Sequence, residues 1–240
     1  DQATITSLDP HRKSPEARTA ATSRQKPEIT TRVLGNGLTL LLRSDPRVPT
    51  VSFQGVFNTG RHVETPENCG INLLHASLLT KGTHNYSEGE YADRVESLGA
   101  NIRASAGNNT SIISSFCLAP DLSTVLGLSG EALSSPIFNE GSVQREKEVQ
   151  RADLLESLQD PLKTSFRLLR ESLFGYQDYG LPRLGTEESL NKIDREMLKK
   201  HHQQFITPQN GVLAVFGDIN PQETIELCDQ FFGGLPQGRK

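Results

Sequence analysis

The groups in this chain that could hold a metal or move protons are six histidines, three cysteines and a scatter of carboxylates, and few stand at a productive spacing. Two helical histidines that share one ion lie three or four positions apart, so that both rings leave the same face. His75 has Asn72, Ile71, Leu78 and Leu79 at those places, none of them a ligand, and reads as a packed or hydrogen-bonded structural residue. His201 and His202 are adjacent, and adjacent helical side chains point in different directions, which predicts solvated rings or rings that favour the negative end of the helix dipole. His62 and His84 flank loops and His11 lies in a polar N-terminal stretch, none with a ligand partner in sequence. Cys69, Cys117 and Cys228 are widely spaced and form no C-x-x-C, so they read as small buried hydrophobes. No G-x-S-x-G elbow, P-loop or G-x-G-x-x-G occurs, and Ser114-Ser115 and Ser134-Ser135 have no recognisable His partner.

Composition narrows the classes further. With 240 residues, 35% of them hydrophobic and 22% charged, the chain can bury a substantial core. The net charge is −4 and basic residues never run beyond two, so no electrostatic footprint for nucleic acid or an anionic membrane is present. No stretch approaches the ~20 apolar residues of a membrane span. The N-terminus lacks the apolar segment of a signal peptide. Asp1 is not a natural translation start, so the chain reads as a processed product or a piece of a longer one. The expectation is a soluble protein, periplasmic or organellar if an upstream signal has been removed.

Positioning elements follow from pattern and punctuation. Residues 1–30 read as a polar linker or the tail of a preceding domain, opening on a strand-like Ala3–Leu8, and residues 31–240 as one domain. Asn36-Gly37 between two apolar runs predicts a β-hairpin, because both residues tolerate positive φ. Another strand follows Pro49. The apolar block 71–80, between Gly70 and Lys81-Gly82, predicts a buried helix. Ser87 with Glu90 predicts a capping box, and Gly99 the stop of that helix. Residues 101–118 predict two strands turning near Gly107-Asn108-Asn109. Asp121 is expected to cap the next helix, Pro161 to interrupt a long one over 140–175, and Asp194 to cap a helix over 195–205. A buried strand over 211–219 and a final helix ending at Gly233-Gly234 complete the pattern. Hairpins mix with helices without strict alternation, which predicts an α+β fold with helices packed on a mainly antiparallel sheet.

Six segments, in this order and spacing, carry a resemblance: LGNGLTLLL, VSFQGVFNTGRHVETPENCGINLLHASLLTKGT, LGANIRASAGNNTSIISSFCL, QREKEVQRADLLESLQDP, YGLPRLGTEESLNKI and FITPQNGVLAVFGDINPQET. Together they resemble the insulinase/pitrilysin family of inverted-motif zinc metallopeptidases, which includes the mitochondrial processing peptidase and the core subunits of the cytochrome b–c complex. The match covers about residues 31–236. Active members carry H-x-x-E-H on a helix, set between a Gly and a Lys-Gly-Thr; the two His ligate zinc and the Glu is general base to the metal-bound water. With Gly70 and Lys81-Gly82-Thr83 in register, the His positions fall on Leu73 and Ser77 and the Glu position on Ala76. His75 is one position off both ligand sites, about 100° around the helix. The distal Glu ligand falls on Asp153, and its upstream acidic partner on Glu146.

The resemblance therefore implies a ferredoxin-like, processing-peptidase-type α+β domain whose zinc motif is eroded. It implies no catalytic residue and no cofactor in this chain, with zinc expected only in a catalytic partner domain, in the same full-length chain or in a partner subunit. It further implies that extended peptides add to the sheet edge at Asn101, Ile102, Arg103, Ala104 and Ser105. Proline at Arg103 or Ser105 should weaken that pairing if the N–H replaced faces the ligand. The function implied is the non-catalytic half of a metalloendopeptidase, enclosing peptide substrate; the alternative is a non-proteolytic scaffold of the same fold.

Overall fold

A computed structural model describes residues 28–237. The expected strand at Ala3–Leu8 and most of the expected linker lie outside the described residues. The six strands are β1 (Thr30–Val33), β2 (Thr39–Ser44), β3 (Thr50–Asn58), β4 (Asn101–Ala106), β5 (Thr110–Leu118) and β6 (Gly211–Gly217). They form a single sheet in the order β1-β2-β6-β3-β5-β4. Only β2 and β6 run parallel; the other neighbours are antiparallel, as the sequence pattern predicts.

Period-two alternation decides which face is covered. Leu40 and Leu42, Val51, Phe53 and Phe57, Ile113 and Cys117, and Leu213 and Val215 all point to one side and are buried. Gly55 lies in the same inward row, where an added Cβ would stand 3.0 Å from Ile113 and 3.2 Å from Leu213, so the centre of the sheet requires a residue without a side chain. Helices α2 (Glu88–Ser97), α3 (Leu122–Ser134) and α8 (Pro221–Phe232) cover this face. Phe53 stacks on Phe232 at 5.3 Å between centroids. The opposite face carries Phe116, Leu118, Val212 and Phe216 in exposed positions.

A second, smaller core lies beside the sheet. It joins α1 (Ile71–Leu78), α4 (Glu140–Gln159), α6 (Glu187–Lys192) and α7 (Arg195–Phe205) through Ile71, Leu74, Leu78, Phe138, Val143, Leu190, Ile193 and Leu198. The boundaries follow local chemistry. Ser87 and Glu90 form the reciprocal capping box, and Asp194 accepts from the Met197 amide. Asp160 accepts from the amides of Leu162 and Lys163, and Pro161 opens α5 (Pro161–Phe174), so the long helical stretch breaks where proline predicts. Helix α5 has no buried residue and presents Leu162, Phe166, Leu169 and Leu173 to the outside.

Two local expectations are corrected. In the β1–β2 turn Gly37 takes positive φ (91°) and Asn36 does not. Asn36 instead spends its side chain on the chain around it, donating to the Phe232 and Gly233 carbonyls and accepting from the Leu38 amide. Asp121 precedes α3 but makes no side-chain cap, because a 3-10 turn over Ala119–Asp121 already leads into the helix.

Candidate functional site

Helix α1 begins at Gly70, whose φ of 90° only glycine adopts without strain and whose missing Cβ leaves room for Gln150 at 2.8 Å and the Leu184 carbonyl at 2.9 Å. Its first turn is anchored by Glu64, a buried carboxylate in the preceding loop. Glu64 accepts from the Gly70 amide at 3.0 Å, the Asn72 amide at 2.9 Å and the Asn72 side chain at 3.1 Å. Burial pushes its pKa up, against the pull of those three hydrogen bonds and of Arg61. Asn72 is fully engaged: it donates also to the Gly60 carbonyl and accepts from Thr59 at 2.7 Å and from the His201 ring at 3.0 Å. Gln150 of α4 closes the arrangement, donating to the carbonyls of Gly70 and Leu184.

The three positions that the resemblance assigns to the zinc motif stand on this helix. Leu73 is half-buried and lines a small crevice with Arg61, Glu64, Asn72, Ala106, Gly107 and Arg183. Ala76 is buried. Ser77 turns its hydroxyl back to the Leu74 carbonyl at 3.0 Å, a bond within its own helix. Asp153 is exposed on α4, and Glu146 is engaged with Lys81 at 3.4 Å. Helix α1 packs against α4, which bears Asp153. The donor set does not fit zinc: Leu73 offers no lone pair, Ala76 no base, and Asp153 is a lone carboxylate. Among the described residues no group of three His, Cys, Asp or Glu is arranged to hold a metal ion.

His201 and His202 depart from the sequence expectation. Both are buried rather than solvated, because Leu198, His201, His202 and Phe205 form one helical stripe and that stripe faces α1. His75 meets them, its Nε2 lying 2.9 Å from Nδ1 of His202 and its ring centroid 5.2 Å from that of His201. The signal in the sequence is the three- and four-residue spacing from Leu198 to His201 and His202; adjacency of the two rings conceals it. Burial drives all three downward in pKa, His75 well below the usual range, His201 to about 3 and His202 to about 4. The three cysteines are buried and free, as expected for small hydrophobes.

Among the described residues β4 is an edge strand, paired with β5 alone. Its hydrogen-bonding phase follows from the hairpin closure, where the Gly107 amide donates to the Thr110 carbonyl at 2.8 Å. Counting back along an antiparallel ladder, Ser105, Arg103 and Asn101 exchange bonds with β5, whereas Ala106, Ala104 and Ile102 turn N–H and C=O outward. The Ala106 carbonyl indeed meets a group outside the sheet, Arg183 Nη2 at 3.4 Å. Proline at Arg103 or Ser105 would therefore strike the β5 ladder and not the open edge. The side chains of Asn101, Arg103 and Ser105 are exposed on the uncovered face, and those of Ile102 and Ala104 pack against the main core.

The sequence pattern of "Insulinase (Peptidase family M16)" matches residues 39–187, well over half of the chain. The chain belongs to this family. A second pattern, "Peptidase M16 inactive domain", matches residues 192–240. An uncharacterized zinc protease of Rickettsia bellii is 24% identical over 207 residues, 86% of this chain and 50% of the relative. Human cytochrome b-c1 complex subunit 1 is 24% identical over 228 residues, 93% of this chain and 47% of the relative. The crystal structure of a peptidase M16 inactive domain from Pseudomonas fluorescens superposes with a TM-score of 0.83 at 24% identity, over 88% of this chain and 52% of that one. The M16-family chain thus spans about half the length of the relatives it matches. No helix among the described residues is long and apolar enough to cross a membrane.

Proposed function

We propose that this chain is a non-catalytic, peptide-holding part of an M16-type assembly, with zinc and general base supplied by another part of the same protein or by a partner subunit. One observation carries the reading. A strand edge unpaired among the described residues, with Ile102 and Ala104 offering N–H and C=O groups outward, runs beside the helix that carries Leu73, Ala76 and Ser77. Main-chain pairing along such an edge binds extended chains of many sequences and needs no metal. The relatives' names fit a paired arrangement: a zinc protease of which the matched 207 residues make up half, and a subunit of a larger complex. The apolar outer side of α5 supports it as well, since an amphipathic helix with no buried residue is what a covering partner would leave when absent.

Amide exchange with and without an extended peptide tests the reading. The Ile102 and Ala104 amides should exchange more slowly with peptide present, and the Arg103 amide, already bonded to β5, should change little. Equal exchange at Ile102 and Ala104 in both states would overturn it. The scaffold reading, favoured by the likeness to a cytochrome b-c1 subunit, predicts that second outcome.

A further inference from the structure

Arg61 feels the charges of Arg170 and Arg183 near the end of β4, and the buried Glu64 shares a crevice with Arg61 and Arg183. Arg61 is buried, 6% exposed, and donates from Nη1 to the carbonyls of Tyr179 at 3.0 Å and Leu181 at 3.2 Å, while its Nε has no partner among the described residues. Burial and the field of Arg170 lower the Arg61 pKa; Glu64 opposes them, and Arg183 lowers it further. Arg170 and Arg183 line one groove of about 520 Å³, together with Phe166, Pro182 and Leu184. Other cations of that groove are satisfied, Lys163 by Glu156 at 3.4 Å and Arg167 by Glu171 at 3.5 Å. Among the described residues, Arg170 and Arg183 have no acidic partner within ion-pair distance. Asp153 lines the same groove and pairs with neither.

Like charges that lack an ion-pair partner repel one another, and a basic cleft of this kind attracts an anion. The groove adjoins the strand edge through Arg183, which contacts the outward Ala106 carbonyl over a long 3.4 Å. A peptide adding to β4 would bring its own N–H to that carbonyl and release the guanidinium. The planar donor fork of arginine matches a carboxylate in two parallel hydrogen bonds. We infer that Arg170 and Arg183, backed by the buried Arg61, form a carboxylate subsite for a peptide lying on β4, just past Ala106. The carboxylate is an acidic side chain or the peptide's own C-terminus. This inference rests on the edge-strand reading and adds a preference that the bare edge lacks.

Binding of fluorescently labelled nine-residue peptides, followed by anisotropy at low and at 0.5 M salt, tests it. Four peptides share one β-prone backbone: neutral and C-terminally amidated; neutral with a free C-terminus; Glu-containing and amidated; and Lys-containing and amidated. At low salt either the Glu peptide or the free-carboxylate peptide should bind about tenfold more tightly than the neutral one, as expected of a charge-assisted bond, and which of the two does so names the source. The Lys peptide should bind most weakly, and salt should erase the differences. Arg170→Gln and Arg183→Gln, both at solvent-accessible positions, should remove the preference while leaving the neutral peptide within about twofold, which also shows the fold intact. Equal binding of all four peptides would overturn the subsite and leave the edge reading standing. Binding of none would overturn both. A preference that survives in Arg170→Gln and Arg183→Gln alike would place the anion site elsewhere and overturn the inference.

Discussion

His75 donates the proton on its Nε2 to Nδ1 of His202 across 2.9 Å, and that bond fixes the tautomers of both rings. Nε2 of His202 lies 3.0 Å from the Leu133 carbonyl, which can only accept. His202 therefore carries its proton on Nε2 and receives on Nδ1, so His75 must give from Nε2. Nδ1 of His75 is left as a buried lone pair with no partner among the described residues. Every ring in the cluster is neutral in the folded state. Their folded pKa values lie below the unfolded value of 6.5.

Stability should therefore fall with acid. A depressed histidine pKa means that the unfolded chain binds more protons below about pH 6.5. The stability contribution is complete above that pH and is lost as pH falls toward the folded values, by up to roughly 1.4 kcal/mol per pH unit for each group. Glu64, whose pKa burial raises, works with the opposite sign, so the histidine part is isolated by comparison with His75→Phe. Between pH 7.5, 6.5 and 5.5, urea unfolding midpoints should drop mainly over the lower interval in the native chain, and less steeply in the variant. Identical slopes would mean that His75 takes no proton on unfolding in this range.

Glu64→Gln should destabilise the chain by about 1–3 kcal/mol, because the amide can present an acceptor to only one side. The Gly70 amide, now served by the second carboxylate oxygen at 3.0 Å, would face an NH₂ group. The unfolding midpoint reports the loss, and amide exchange should show the first turn of α1 opening before the rest of the helix. A fully native midpoint would show that water replaces the carboxylate at no cost.

Zinc should not bind at the family position. Leu73, Ala76 and Ser77 leave Asp153 as a single carboxylate, and one exposed oxygen ligand cannot hold zinc against water. Dialysis against micromolar zinc followed by metal analysis should find no stoichiometric ion. Near-stoichiometric zinc that disappears in Asp153→Ala would refute this.

The legible parts of the fold were those written in local chemistry: the capping box at Ser87, the proline break at Pro161, and the hairpin at Asn36-Gly37. What the sequence hid depends on distance in the chain. Glu64 reads as a loop acid until the fold brings its carboxylate under Gly70. His201 and His202 read as polar residues on a polar helix until α1 supplies His75. Arg61, Arg170 and Arg183 lie on three separate segments, and no spacing announces that they meet. The phase of β4 was hidden too, because alternation assigns side chains to faces but does not say which amides point outward.

That phase yields the sharpest contrast between two neighbouring substitutions. Arg103 belongs to the pairs that exchange bonds with β5, opposite Ser114, so Arg103→Pro removes a ladder donor and orphans a carbonyl within the sheet. The expected loss is roughly 1–3 kcal/mol. Ala104 turns its N–H away from β5, and proline is tolerated where that group faces solvent, so Ala104→Pro should stay within about 1 kcal/mol of the native chain. Function should rank them the other way. Ala104→Pro deletes a donor at the open edge and should abolish protection of the neighbouring Ile102 amide by an extended peptide. Arg103→Pro, studied at a temperature where it remains folded, keeps both outward donors and should bind peptide still. Denaturant midpoints and amide exchange on the two variants give the answer. A chain in which Ala104→Pro is the less stable and Arg103→Pro the weaker binder would have β4 in the opposite phase, and the open edge would then belong to Arg103 and Ser105.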